Sequence, residues 1–290
     1  MKNIHIEHPE DQILTGDLSV IDLLYDFDSA SVKIDGAPAI VWGTNPATGK
    51  FFVGTKSVFN KVKIKINHSH EEIDQNHAGE VASVLHACFD YLPRTNTVYQ
   101  GDFIGFGGRD TYRPNTITYI FDEVISQDII IAPHTCYYAA SDLRDAVAMP
   151  DRAIWNDNEH VKFVKPSVDR VKSDATAPII NTDKIQFLND KQAKECKQII
   201  NAFIREGKQL HDALLTEILG CQYLSNLYLL VMEMKEDLMD SLIVSDAPKA
   251  YIEDQEINQE GYVICGDKGM TKLVNRHQFS YANFALPKAW

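Results

Sequence analysis

Two runs rich in β-branched and aromatic residues, Ser31–Val41 and Lys50–Val58, flank the turn-forming cluster Gly43-Thr44-Asn45-Pro46-Ala47-Thr48-Gly49. Runs of that composition on either side of such a cluster predict an antiparallel hairpin. The first run is interrupted by Lys33-Ile34-Asp35-Gly36. With Val32, Ile34, Ala39, Ile40 and Val41 around it, the Lys33 ammonium would stand at the mouth of a strand-rich, water-poor pocket, and Gly36 would let the backbone turn tightly beside a ligand. A lysine is a nucleophile only without its proton, which near neutral pH requires burial or neighbouring cations. Those four residues also describe a surface lysine before a turn, so the remainder of the chain has to decide between the two.

At 290 residues and 44% hydrophobic content the chain can bury a real core, as one large domain or as a domain carrying a sizeable insertion. Leu18–Leu24 predicts a short helix, and the apolar spacing of Ile73, Ala78, Val81, Leu85, Cys88 and Leu92 predicts one helix with a buried face over Glu71–Leu92. Strands are expected from Thr97 to Asp102 and from Thr116 to Val124, with Gly105–Gly108 between them as a flexible turn. Further on, Asp183–Gly220 and Tyr223–Leu242 carry apolar residues at helical intervals.

No apolar run suits a membrane span, and Met1–Glu7 lacks a signal-peptide pattern, so a cytoplasmic protein without a membrane partner is expected. Cys88, Cys136, Cys196, Cys221 and Cys265 are odd in number and never form a Cys-x-x-Cys pair, which indicates neither a disulfide framework nor a zinc site. His68, His70 and His77 have no partnered cysteine or well-spaced carboxylates and read as polar surface positions. The net charge of −13 opposes a uniformly basic nucleic-acid face. Local exceptions are Lys50, Lys56, Lys61, Lys63 and Lys65, and the segment Lys162-Phe163-Val164-Lys165-Pro166 with Arg170 and Lys172, a possible basic contact.

Read in order, the Lys33-Ile34-Asp35-Gly36 stretch, Val98-Tyr99-Gln100-Gly101-Asp102-Phe103, Tyr119-Ile120-Phe121-Asp122, Glu260-Gly261-Tyr262-Val263-Ile264 and Thr271-Lys272-Leu273-Val274 resemble motifs I, III, IIIa, IV and V of the covalent nucleotidyltransferases. That superfamily comprises ATP-dependent DNA ligases, RNA ligases and mRNA capping enzymes. The resemblance covers about residues 30 to 125 and 258 to 280. It implies an α+β fold: an antiparallel-sheet nucleotidyltransferase core of the ATP-grasp-like ligase adenylation kind, with residues 1–131 and 258–290 forming the core around a mainly helical insertion at 132–257.

It further implies that Lys33 forms a lysyl-AMP adduct from ATP and Mg²⁺ (or Mn²⁺), with Lys272 against the α-phosphate. Nucleotide contacts would come from Val32, Ile34, Asp35, Gly36, Lys56, Asp102, Phe121 and Glu260, with Tyr119 the alternative to Phe121 as an adenine platform. Metal ligands would be Glu260, Asp35 and Asp102. The second lysine of motif V is replaced by Val274, for which Lys268 or Arg276 would substitute. About 18 residues follow Lys272, too few for an OB-fold, so the pattern looks more like a small RNA ligase acting on RNA ends than a DNA nick ligase. A nucleotidyltransferase modifying a protein or small molecule, and a non-catalytic nucleotide-binding module, stand as alternatives. The helical insertion is expected to serve the acceptor, or to pack on the core.

Overall fold

The computed structural model describes residues 6–170 and 176–279. Lys172, and the residues after 279 bearing on the OB-fold expectation, lie outside them. In chain order the elements are α1 (Pro9–Gln12), α2 (Ser19–Tyr25), β1 (Ser29–Val32), β2 (Ala39–Thr44), β3 (Phe51–Gly54), α3 (His70–Asn76), α4 (Gly79–Tyr91), β4 (Val98–Phe106), β5 (Thr111–Tyr112), β6 (Ile117–Ile120) and β7 (Ile129–Tyr138). There follow β8 (Val147–Pro150), β9 (Val161–Phe163), β10 (Ser167–Arg170), α5 (Asp190–Arg205), α6 (Asp212–Leu219), α7 (Gln222–Ser241), β11 (Leu242–Ser245), β12 (Lys249–Ile252), β13 (Gln255–Ile257), β14 (Gly261–Gly266) and β15 (Gly269–Val274). The fold is α+β, with antiparallel sheets.

The largest sheet runs β3-β2-β4-β7-β8, with β9 joined to β7 in parallel. Its residues alternate between two faces, as a pleated strand requires. Ile40, Trp42 and Val53 pack on one side with Val84, Leu85 and Cys88 of α4, whereas Val41, Phe52 and Val98 meet Val58 and Leu143 on the other. A second sheet, β1-β14-β15, buries Val32, Tyr262, Ile264 and Leu273 among α2 and the helices α5 to α7. Two smaller sheets, β13-β12-β6-β5 and β10-β11, complete the set.

The hairpin forms as β2 and β3, with Val41 opposite Gly54 and Thr44 opposite Phe51. The run before it belongs to two sheets: Ser29–Val32 pairs with β14, and Ala39 onward pairs with β3 and β4. Lys33–Pro38 is the crossover. Its position is held by the Lys33 N–H donating to the Gly261 carbonyl (2.8 Å) and the Ala37 N–H donating to Phe103 (2.9 Å). Gly36 lies so close to β4 that a Cβ there would stand 2.5 Å from the Phe103 carbonyl oxygen, a distance no side chain tolerates.

Three expectations differ from the structure. The helix over Glu71–Leu92 is two helices, divided at His77 and Ala78, whose extended backbone breaks the ladder before the second helix starts at Gly79 (φ +61°). The boundary at residue 132 falls inside β7, which is paired along its length with β4. The stretch 132–257 contains the strands β8 to β13 besides its helices, and β12 pairs with β6 of the first part. Such pairings between residues more than a hundred positions apart leave no local trace in a sequence.

Candidate functional site

Three sheets meet at Lys33. The chain leaves β1, presents Lys33 beside Glu260 at the start of β14, and passes Asp35 under β6 before joining β2. Lys33 Nζ donates to Glu260 Oε2 at 2.5 Å and to Asp35 Oδ1 at 3.4 Å. The Asp35 N–H donates to the Tyr119 hydroxyl (2.8 Å), and Asn115 Nδ2 donates to Asp35 Oδ2. The loop is therefore fixed at its backbone and at its carboxylate.

Glu260 is buried, its side chain 8% exposed, whereas the Lys33 side chain keeps 31% exposure and so remains reachable. Burial, helped by the charges of Asp35 and Asp102, pushes the Glu260 carboxyl up to about 7 against the pull of Lys33. Burial works to lower Lys33, but the carboxylates of Glu260, Asp35 and Asp102 outweigh it and hold the ammonium above the ordinary lysine value. At rest Lys33 is thus a held cation, and a carboxylate titrating near neutrality lies within reach of its proton.

Lys272 completes the group from β15. In the β1-β14-β15 ladder Ser31 is opposite Val263 and Val263 opposite Lys272, so Lys272 shares the sheet face from which Lys33 extends two residues along. Burial lowers Lys272 to about 8; Asp11 opposes this, while Lys33 and Arg276 reinforce it. Asp102, on β4 opposite Ala39 and Ala132, also faces the cluster, since its charge bears on Lys33, Glu260 and Tyr119. Residues from both ends of the sequence, Lys33, Asp35, Asp102, Glu260 and Lys272, are brought together.

Other expected residues have different settings. Val32 and Ile34 are buried and line a small cleft with Ser31, Pro133 and His134. Tyr119 is wholly buried and uses its hydroxyl on the loop, so its ring is a core element and not a platform. Phe121 is half-buried just past β6, its ring edge-on to Tyr112 at 5.7 Å. Lys56 is exposed at the start of a 3₁₀ turn (Lys56–Phe59) after β3, at the edge of the large sheet.

Neither proposed substitute for the missing lysine takes that place. Lys268 is exposed in the hairpin turn between β14 and β15, at the opposite end of those strands from Gly261. Arg276 is buried, donating to Asp11 (2.9 Å), Glu10 (3.3 Å), the Tyr228 hydroxyl (3.0 Å) and Asn201 (2.7 Å). The expected basic contact is also engaged internally. Lys162 pairs with Asp157, Lys165 donates to Asp151 and Ala153, and Arg170 donates to the Tyr25 carbonyl.

His68, just before α3, faces Glu72, whereas His70 stacks on His86 and faces Asp90, so His70 fastens α3 to α4 and the two histidines do not converge on one point. All five cysteines are free thiols. Sequence reasoning missed Asn115, the Tyr119 hydroxyl and His134. Asn115 and His134 sit in no recognisable pattern, and the Tyr119 hydroxyl meets the Lys33 loop only through a partner far along the chain.

Fold and site together define an α+β protein of antiparallel sheets with a lysine–carboxylate cluster where three of them meet. The chain belongs to DUF6267, a family of unknown function whose model matches residues 3–219 and 219–288. No curated protein and no solved structure matches it. Among the described residues no helix is long and apolar enough to cross a membrane.

Proposed function

We propose that the protein is an ATP-dependent polynucleotide ligase of the RNA ligase kind, built on a nucleotidyltransferase core and working through a Lys33–AMP adduct. The observation that carries this reading is the convergence of Lys33, Glu260, Asp35, Asp102 and Lys272, drawn from four motif-like segments, at Lys33–Gly36, Val98–Phe103, Glu260–Ile264 and Thr271–Val274. Lys33 Nζ gives its proton to Glu260 and attacks the α-phosphorus of ATP. The N–P bond forms, the bond to the β-phosphate oxygen breaks, and pyrophosphate leaves. Lys272, its ammonium favoured by the charge of Asp11, neutralises charge on the α-phosphate. The AMP then passes to a 5′-phosphate end before sealing.

Among the described residues no three of His, Cys, Asp and Glu are grouped closely enough to cage a metal by themselves. Mg²⁺ is commonly held through one or two carboxylates together with the substrate's phosphates. Asp35, Asp102 and Glu260 are the carboxylates that would hold it, and bound Mg²⁺ supplies charge neutralisation on the triphosphate. A second reading, transfer of AMP to a protein or small molecule, is favoured by the net charge of −13 and by the internal engagement of Lys162, Lys165 and Arg170.

Incubation of the full chain with α-labelled ATP and Mg²⁺ tests the first step. Label is expected on Lys33 and is expected to vanish in Lys33→Ala; label that survives the substitution removes Lys33 from this role. Sealing assays on RNA ends and DNA nicks then separate the acceptors.

A further inference from the structure

From Gly36 to His70 the sequence holds five lysines and no aspartate or glutamate, in a chain where 41 of 290 residues are acidic. Charge is therefore segregated, and a net value of −13 does not describe the surface this stretch forms. Lys50 stands at the turn between β2 and β3, and the Lys65 ammonium is engaged inside the fold, donating to the Asn76 carbonyl at the end of α3 (2.6 Å). Lys56, Lys61 and Lys63 are exposed, and among the described residues none of them pairs with a carboxylate. By contrast, Lys162, Lys165, Lys197, Lys208 and Lys235 each sit 2.6–2.8 Å from one.

The loop that carries the three free lysines is held at its base. It leaves β3 at Gly54, is capped where Thr55 Oγ1 accepts from the Ser57 N–H, and returns so that Asn67 and Val53 exchange both backbone hydrogen bonds (3.0 and 3.1 Å). Lys63 takes φ +56°, the left-handed region that favours glycine, so a cation is kept where glycine would be the unstrained choice. Val62 and Ile64 are exposed on either side of it, so the tip stands out from the sheet.

The register of the large sheet puts this loop at the reacting end. Ala39 is opposite Asp102 on one side of β2, and Val41 is opposite Gly54 on the other, so the chain departs from β3 at Lys56 level with Ala39 and Asp102. With neighbouring strands about 4.8 Å apart, Lys56 leaves the sheet roughly 10 Å from Asp102. That is the end at which the Lys33 crossover enters β2.

We propose that Lys61 and Lys63, with Lys56 at their base, form the docking surface for the phosphate backbone of the strand whose 5′-phosphate end reaches Lys33. The proposal rests on the reading of that site as a ligase, but it concerns strand binding and not the covalent step. Phosphates spaced along a strand meet cations spaced along a loop, and each contact releases a counterion. An anionic membrane fits less well, because Val62 and Ile64 alone do not make the apolar face of an interfacial helix.

The test uses the full chain, a fluorescent single-stranded RNA with a 5′-phosphate, and anisotropy at salt concentrations from about 50 to 200 mM. Wild type is expected to bind with a steep salt dependence. Lys61→Gln/Lys63→Gln loses two phosphate contacts, and so about 1.4 from the slope of log affinity against log salt and at least about 10-fold in affinity near 0.1 M salt. Lys61→Arg/Lys63→Arg keeps both charges and should bind as wild type does, and ATP labelling of Lys33 should be unchanged in both variants. If the glutamine pair lowers the melting temperature, Lys61→Gln alone, with half the change in slope, decides. No RNA binding by wild type at the lower salt, or an unchanged slope in the glutamine variants, overturns the proposal. Equal binding of poly-glutamate or of phosphatidylserine vesicles, lost equally in the variant, overturns it too, since the loop would then be a general anion or membrane contact. RNA binding that needs the two lysines, without label on Lys33, removes the covalent reading and leaves the docking surface standing. Label on Lys33 with RNA binding indifferent to the loop does the reverse.

Discussion

Replacing Gly36 by alanine isolates the close approach of the Lys33 loop to β4. The new Cβ would stand 2.5 Å from the Phe103 carbonyl oxygen and 2.8 Å from Ile104 Cδ1. The isoleucine can turn aside, but the carbonyl is backbone, and β4 is paired on both edges with β2 and β7. The loop must therefore lift by several tenths of an ångström, which stretches Ala37 N–H to Phe103 O (2.9 Å) and Phe103 N–H to Pro38 O (3.1 Å). Overpacking costs about 1–3 kcal/mol and a weakened hydrogen bond about 1 kcal/mol, so a loss of about 2–4 kcal/mol is expected. With an unfolding entropy of about 2.1 cal/mol/K per residue, that lowers the melting temperature by roughly 3–7 °C. The lift also carries Lys33 away from Asp102, and a displacement of about 1 Å at a reacting group costs about 10²-fold in rate. Gly49→Ala is the companion variant: that residue has φ +68° but open space around it, so only backbone strain of about 1–2 kcal/mol is expected. Thermal melts and Lys33 labelling read both effects. A Gly36→Ala protein melting within 1 °C of wild type, with full labelling, would refute the packing argument.

The ionisation of the site sets a pH profile for labelling. The reaction needs Glu260 as carboxylate and Lys272 as ammonium, so the apparent second-order rate should rise through about 7 and fall through about 8; a rate still climbing at pH 9 would exclude Lys272 from phosphate neutralisation. Because the Asp11 charge raises Lys272, Asp11→Asn is expected to move the alkaline limb to lower pH and leave the acid limb in place, as measured by the same profile. Arg276→Met strips partners from the buried carboxylates of Glu10 and Asp11 and should cost about 3–5 kcal/mol in chemical denaturation; an unchanged midpoint would show that Lys235 alone satisfies that cluster.

The parts of the site that were legible are those in which chemistry and local pattern coincide. Lys33-Ile34-Asp35-Gly36 and Glu260-Gly261 are short and weak signals alone, and it is their order along the chain with the other motif-like stretches that singles them out. The structure joins them through two hydrogen bonds, from Lys33 N–H to Gly261 O and from Lys33 Nζ to Glu260 Oε2. The helices α5 to α7 were legible from their 3.6-residue period. What could not be read was register. That Ser29–Val32 leaves the hairpin's sheet to pair with β14, that β6 pairs with β12, and that β7 bulges at His134 all depend on partners distant in sequence. Arg276 shows the same limit differently. By position it is a plausible phosphate ligand, and only burial among Glu10, Asp11 and Tyr228 reveals it as part of the scaffold.

That scaffold bears on what the helical segment does. Lys235 and Tyr228 lie on α7 and Asn201 on α5, and with Glu10, Asp11 and Arg276 they form one buried network behind β15. Lys235 pairs with Glu10 at 2.8 Å, with both side chains almost fully buried, and either charge left alone would be strongly unfavourable. Asp11, the carboxylate that supports Lys272, is held by Arg276 and lies 3.5 Å from the Tyr228 hydroxyl. The same helices bury Leu227, Tyr228 and Val231 in the core that contains Val32, Tyr262 and Leu273. Replacing the segment from about Lys184 to Ser245 by a flexible linker would therefore remove part of the floor under Lys272 together with any acceptor surface, so the two roles cannot be separated by deletion. Substitutions on the exposed side of α5 and α7, at Ile199, Tyr223 and Leu230, leave that floor intact. They are the changes by which loss of acceptor transfer can be distinguished from loss of Lys33 labelling.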